Sequence, residues 1–240
     1  MSERKNVVVP AVVAAIAAIV VLAIVVMPTF GSDSGESDST ATQGSAEDAG
    51  TAQDKAWEQL VRREPDDPMA MGEVDAPVVM VNYSEFQCPF CGKFARDTEP
   101  TLIEQYVEDG TLRIEWRDFP YLGPESTTAA HAGRAAAAQG KFWEFHDAMY
   151  ADQLPPNSGK LDEDYLAGIA EGLDLDVDQF RTDMNSKATA SAVQDDFAEG
   201  QAIGVTGTPA FIINGVPVIG AQPTQVFQDT IEKAAEEATQ

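Results

Sequence analysis

Val78-Val79-Met80-Val81-Asn82-Tyr83-Ser84-Glu85-Phe86-Gln87-Cys88-Pro89-Phe90-Cys91 is the stretch that decides the fold of this 240-residue chain. Across residues 77–84, apolar side chains fall on both alternating faces, the pattern of a central strand covered on both sides. The run leads straight into Cys-x-x-Cys, and residues 92–106 then read as a helix kinked at Pro100. A second strand follows at residues 112–117, where Leu112, Ile114 and Trp116 alternate with charges. Strand, helix and strand in this order make a βαβ unit, with the cysteines where the first strand meets the helix.

That junction has a chemical meaning. A sulfur at a helix N-terminus meets unpaired N–H groups and the positive end of the helix dipole, and both favour thiolate. Such placement lowers a thiol pKa from about 8.5 to roughly 3.5–7.5. Pro89 fits the first turn and fixes the geometry of the two sulfurs. Cys88 is the expected attacking sulfur; Cys91, one turn in and more buried, is the expected resolving one. Three bland readings stand beside this one. A structural disulfide closing so short a loop removes little unfolded-state entropy. A zinc site needs four ligands, yet only His131 and His146 could join the pair, and both read as ordinary helix residues. The third is a pair of inert core cysteines. Redox activity is the favoured reading, and no metal is expected.

Downstream, residues 126–203 turn helical: an Ala-rich stretch, then Phe142, Phe145 and Met149, then Tyr165, Leu166 and Ile169, then Phe180 and Met184, then Val193 and Phe197. β character returns at residues 209–213, followed by an Asn214-Gly215 hairpin turn and residues 216–219. A last amphipathic helix carries Val226, Phe227, Ile231, Ala234 and Ala235. The expected fold class is therefore α/β, with an all-helical subdomain inserted at about residues 126–203 of a small mixed domain.

Upstream, Trp57, Leu60 and Val61 are spaced as a short opening helix. Residues 28–56 are rich in Ser, Thr, Gly, Ala, Asp and Glu and read as a disordered acidic linker. Residues 7–27 hold only Val, Ala, Ile, Leu, Met and Pro10. At about 1.5 Å per residue such a helix reaches roughly 31 Å, matching the ~30 Å hydrocarbon core of a bilayer. The run is longer than a signal-peptide core, and Pro28-Thr29-Phe30-Gly31 offers no Ala-x-Ala, so an uncleaved anchor is expected over a cleaved signal. Arg4 and Lys5 precede it, while Asp33, Glu36 and Asp38 follow, which puts residues 1–6 in the cytoplasm. Residues 57–240 are then an extracytoplasmic domain on a single-pass cell-membrane protein, where an oxidising space lets a cysteine pair cycle as a disulfide.

Composition closes other routes. Forty acidic against 15 basic side chains leave a net charge of -25, which repels phosphate backbones and excludes general nucleic-acid binding. Two cysteines exclude a disulfide-rich scaffold, and 44% hydrophobic residues supply one sizeable core.

Asp67-Pro68-Met69-Ala70-Met71-Gly72, Ala76-Pro77-Val78-Val79, Phe86-Gln87-Cys88-Pro89-Phe90-Cys91 and Gly204-Val205-Thr206-Gly207-Thr208-Pro209-Ala210-Phe211-Ile212-Ile213-Asn214-Gly215 together resemble the DsbA-like thiol-disulfide oxidoreductases. The resemblance covers about residues 65–240 and implies a thioredoxin fold with a helical insertion, in agreement with the element order. It also implies a cis Thr208–Pro209 peptide facing the sulfurs, which leaves the Thr208 backbone free to pair with a substrate strand and keeps metal away from Cys88. Pro89, Phe90, Thr208 and Pro209 are accordingly the expected substrate-binding residues.

Two positions depart from the family. Its members often carry a buried acid six residues before the nucleophile; here that residue is Asn82, which takes no proton. Glu85 is the nearest carboxylate in sequence and the expected catalytic acceptor of the Cys91 proton. Phe90 stands where strongly oxidising members have His, and offers Cys88 neither charge nor hydrogen bond, so a less depressed thiol pKa is expected. The resulting expectation is a membrane-tethered oxidase that passes the Cys88–Cys91 disulfide to reduced exported proteins. A quinone-linked membrane partner reoxidises it, as the resemblance implies. No cofactor is called for, and a monomer is expected. A reductase of the same fold is the alternative; from another class, a non-catalytic chaperone-like binding module would use the apolar surface around Pro209.

Overall fold

The computed structural model describes residues 57–239. The expected cytoplasmic segment 1–6, anchor 7–27 and linker 28–56 lie outside them. Among the described residues, no helix is long and apolar enough to cross a membrane.

Five strands form one mixed sheet in the order β1-β3-β2-β4-β5, with β1 Ala70–Met71, β2 Val78–Ser84, β3 Leu112–Asp118, β4 Ala210–Ile213 and β5 Val216–Ile219. β2 is central, as its two-sided apolar pattern requires, and all seven of its residues are buried. It runs parallel to β3, from Val78 beside Leu112 to Ser84 beside Asp118, and antiparallel to β4, with Tyr83 beside Ala210. Only a crossover can join parallel neighbours, and the chain between β2 and β3 supplies a helical one.

That crossover is broken into pieces. Helix α1, Pro89–Asp97, ends at Thr98, and α2, Glu99–Leu102, carries Pro100 in its first turn. Proline lacks the N–H that would continue the ladder and crowds the preceding turn, so the chain restarts there. A single π-helical turn, Ile103–Val107, completes the crossover. The expected kink is thus a break two residues earlier than Pro100.

The inserted block is all-helical: α3 Pro124–Ala138, α4 Phe142–Ala151, α5 Glu163–Gly172, α6 Val177–Met184 and α7 Lys187–Ala202. Asp162, Asp176 and Ser186 cap the last three, each side chain accepting a backbone N–H of the first turn. The insertion packs on the sheet through Phe86, Trp116, Phe142, Phe145 and Tyr150. A second core joins Phe94 and Leu102 to Met80, Ile114, Phe211 and Phe227, the last from the closing helix α8, Thr224–Ala238. Asn214 and Gly215 both take positive φ, 41° and 83°, as a two-residue hairpin turn between β4 and β5 demands.

Two features lie beyond what the sequence showed. The strand β1, antiparallel to β3, was not foreseen; two residues are too short to show a period. The charges that alternate along β3 do not face water, because all seven residues of that strand are buried. Arg113 and Arg117 both bond to Glu115, Arg117 also bonds to Glu199, and Arg134 joins Asp118 to Asp196.

Candidate active site

After Ser84 the chain leaves the sheet, and a turn closed by the Cys88 N–H on the Glu85 carbonyl, at 3.3 Å, delivers Cys88 to the N-cap of α1. The cap side chain makes no bond to the helix N-terminus, and Pro89 fills the first helical position. The Cys88 thiol instead donates to the Thr208 carbonyl at 3.2 Å. That bond joins the start of α1 to the loop leading into β4, in which Thr208–Pro209 is a cis peptide. Both cysteines are free thiols.

The two thiols are driven apart electrostatically. The Cys91 thiol, by hydrogen bonding to Cys88, lowers the Cys88 pKa from 9.0 to about 6 against the opposing effect of burial, with help from Thr208 and from the Cys91 and Phe90 backbone. Burial pushes Cys91 well above its ordinary value, and the neighbouring Cys88 sulfur adds to the rise. Both sulfurs are shielded, Cys88 2% and Cys91 1% exposed, and Cys91 is the more buried of the two, as the sequence reading expects, so it carries the heavier burial penalty. Only Cys88 sits at the mouth of the helix, where developing negative charge is stabilised.

Glu85 lies on the same turn. It is buried, and neither carboxyl oxygen has a hydrogen-bond partner. Burial, with a smaller contribution from the Cys88 sulfur, raises its pKa from 4.5 to about 7. The Ser126 hydroxyl and the Leu122 backbone pull the other way without reaching hydrogen-bond geometry. The sulfur that acts on this carboxyl is Cys88, whereas the sequence paired it with Cys91. Asn82 is also buried, and its Oδ1 is unpartnered.

Phe90 is 63% exposed, and beyond the sulfur Tyr121 and Ile219 also show open apolar surface. A cleft of about 350 Å³ runs along the loop before and after Pro209, closed on one side by Ile219 and Gly220. Pro89, Phe90, Thr208 and Pro209 are thus brought to one place around Cys88. His146 is engaged elsewhere, with Nδ1 2.9 Å from Asp147 and Nε2 3.6 Å from Glu99.

Sequence reasoning missed the polar groups that hold this turn. Tyr150 donates its hydroxyl to the Glu85 carbonyl at 2.9 Å. Gln153 donates to the Phe86 and Cys88 carbonyls. Gln87 donates to Ser126 and accepts the Asn157 N–H. All the partners come from the insertion, 39 to 70 residues away in sequence, and no local spacing marks them.

Residues 64–233 match the family model described as thioredoxin. Over 150 residues the chain is 33% identical to the "Probable disulfide bond formation protein D" of Bacillus cereus, covering 61% of this chain and 69% of that protein. Over 181 residues it is 37% identical to the Na(+)/H(+) antiporter NhaA 1 of Salinispora arenicola; this takes in 71% of the chain but 26% of the antiporter, so the chain spans about a quarter of that relative's length. The solved structure of Wolbachia pipientis alpha-DsbA1 aligns with a TM-score of 0.68 at 25% identity, covering 77% of this chain and 98% of that one. The fold, the matched residues and these likenesses agree: the chain belongs to the thioredoxin family, among its DsbA-like thiol-disulfide oxidoreductases.

Proposed function

We propose that this protein is a thiol-disulfide oxidoreductase working as an oxidase outside the cytoplasm, anchored through residues 7–27. The observation that carries this reading is the Cys88 thiol at the N-cap of α1, against the cis Thr208–Pro209 peptide, with a pKa of about 6 beside a Cys91 raised well above its ordinary value. Starting from the oxidised enzyme, a substrate thiolate attacks Cys88 Sγ. The Cys88–Cys91 bond breaks, a substrate–Cys88 disulfide forms, and Cys91 leaves as a thiolate that takes up a proton. A second substrate thiolate then attacks the substrate sulfur of the mixed disulfide and expels Cys88 as the stabilised thiolate. The substrate has lost two electrons and the enzyme has gained them.

Glu85 is the proton-handling carboxyl of this cycle, since with a pKa of about 7 it both accepts and returns a proton at neutral pH. Pro89, Phe90, Thr208 and Pro209 form the substrate-binding surface. The substrates are reduced exported proteins, and a quinone-linked membrane partner takes the electrons away. A Cys88 pKa near 6 sits above the extreme value of about 3.5 found in strongly oxidising relatives, and the Phe90 side chain offers the thiolate neither charge nor hydrogen bond. This keeps the reductase as the second reading.

Equilibration of the Cys88–Cys91 couple with glutathione tests direction. A potential near -120 mV supports the oxidase, and one of about -270 mV, the thioredoxin range, supports the reductase. Replacing both cysteines by serine is expected to abolish exchange with reduced protein substrates. Retained activity in that variant would point to a non-catalytic binding module.

A further inference from the structure

Among the side chains by which the insertion reaches the active-site turn, Gln153 is the one that bonds the peptide of the nucleophile itself, and it stands outside every motif in the sequence. Gln153 lies two residues beyond the end of α4, and its Nε2 donates to the Phe86 carbonyl at 2.9 Å and to the Cys88 carbonyl at 2.9 Å. Its Oε1 lies over α1 so closely that a Cβ at Gly92 would stand 2.3 Å from it. One carboxamide therefore touches the turn before the nucleophile, the nucleophile's own peptide and the first turn of the active-site helix. The Cys88 carbonyl already accepts the Gly92 N–H at 3.1 Å, so the helix alone satisfies it and the second donor is extra. The amide also presents the positive end of its dipole at the peptide that carries the reacting sulfur.

We propose that Gln153 is a positioning residue for thiol-disulfide exchange, fixing the Cys88 peptide so that Sγ stays at the mouth of α1 against Thr208. The proposal rests on the redox reading of Cys88 and Cys91. The titratable groups that face Cys88 are Cys91 on α1, Glu85 on the preceding turn, Tyr121 after β3 and Tyr150 on α4. Substitutions at Gln153 leave all four in place. A cleft of about 410 Å³, lined by Arg96, Ala151, Asp152 and Gln153, opens beside the amide, so truncation admits water instead of creating a sealed void.

The test uses the full chain with Gln153→Ala, Gln153→Glu and Gly92→Ala, the last displacing the intact amide and also Arg96, for which Arg96→Ala is the control. Cys88 is titrated by thiolate absorbance, and the couple is equilibrated with glutathione. Gln153→Ala is expected to raise the Cys88 midpoint by about one pH unit, a tenfold loss of thiolate preference. Gln153→Glu is expected to raise it further, because a carboxylate then faces two carbonyls. Gly92→Ala moves it in the same direction. The glutathione equilibrium shifts about tenfold toward the enzyme disulfide, which is about 30 mV for this couple. Wild-type titration and wild-type equilibrium in Gln153→Ala and Gly92→Ala, with only the urea midpoint lowered, would mean a purely structural side chain and overturn the proposal. These two variants decide the matter even where Gln153→Glu fails to fold. Absence of exchange in the wild type would instead sink the redox reading itself, so the two failures are distinguishable.

Discussion

Glu85 and Glu115 are both buried glutamates, 2% and 0% exposed, one just beyond the end of β2 and the other within its neighbour β3. Their surroundings are opposite. Glu115 accepts the backbone N–H groups of Arg62 and Arg63 at 3.0 and 2.9 Å, the Arg113 guanidinium at 3.1 Å and the Arg117 guanidinium at 2.9 Å. The Glu85 carboxyl accepts nothing. Burial alone would raise both carboxyls, yet at Glu115 the two amides and Arg117 outweigh it and hold the pKa below 4.5, while Glu85 is carried up to about 7. Identical side chains at similar depth thus do different work: saturated with donors, the carboxylate is a permanent charge that locks the chain at Arg62 and Arg63 to β3; left bare beside a thiol, it trades protons at neutral pH.

Breaking the saturated site has the largest expected effect. Glu115→Ala leaves Arg113 and Arg117 buried without their shared partner, which costs about 3–5 kcal/mol. A urea titration measures it, and the Cys88 titration is expected to stay at its wild-type midpoint. The sign with pH follows from the lowered pKa: the stability Glu115 supplies is complete above 4.5 and is lost as pH falls through the lower folded value. Glu115→Ala should therefore lose its disadvantage in acid. A loss confined to thiol chemistry, with stability intact, would show that the buried charges on β3 serve the active site and would erase the contrast.

The bare site responds in the other direction. Because the folded pKa of Glu85 lies above 4.5, its ionisation opposes folding: stability is full below 4.5 and declines as pH rises toward about 7. Glu85→Gln removes that penalty and should be more stable than wild type at pH 8, by about 2–3 kcal/mol, with no gain below pH 4. Its exchange rate should lose the inflection near pH 7 while keeping the one near 6 that belongs to Cys88. Urea midpoints at the two pH values, together with a pH–rate profile, check both halves. A variant no more stable at pH 8 than wild type would mean that Glu85 is solvated when ionised.

What sequence made legible, and what it hid, follows the same division. β2, the Cys88-Pro89-Phe90-Cys91 junction and the Asn214-Gly215 turn are local patterns, each fixed by neighbours a few residues away, whereas the cis Thr208–Pro209 step is implied by the family resemblance. The charges on β3 followed a period of two that ordinarily signals a solvent face. They are buried because partners arrive from Arg62 on one side and from Arg134, Asp196 and Glu199 on the other. Glu85 was identifiable by its closeness to Cys88 in sequence. Its protonation was not, since that depends on Ser126 and Leu122 failing to reach it. Tyr150 and Gln153 were invisible for the same reason: a hydrogen bond across 65 residues leaves no spacing to read.

The smallest effect belongs to a third kind of charge, and it is a control on the other two. Lys93 bonds Asp97 at 2.6 Å on the outer face of α1, with both side chains more than half exposed, and it lies only two residues beyond Cys91. Removing Lys93 strands nothing, because water hydrates Asp97 as well as the ammonium did. Its field at the sulfur is screened over about 8 Å at physiological ionic strength. Lys93→Ala is therefore expected to leave the urea midpoint unchanged and to move the Cys88 titration by less than about 0.3 unit, a shift of under half a kcal/mol. Should the midpoint move by a full unit, proximity of charge along the helix would outweigh burial and partnering. The difference between Glu85 and Glu115 would then need an explanation in distance from α1, and not in the donors each carboxyl meets.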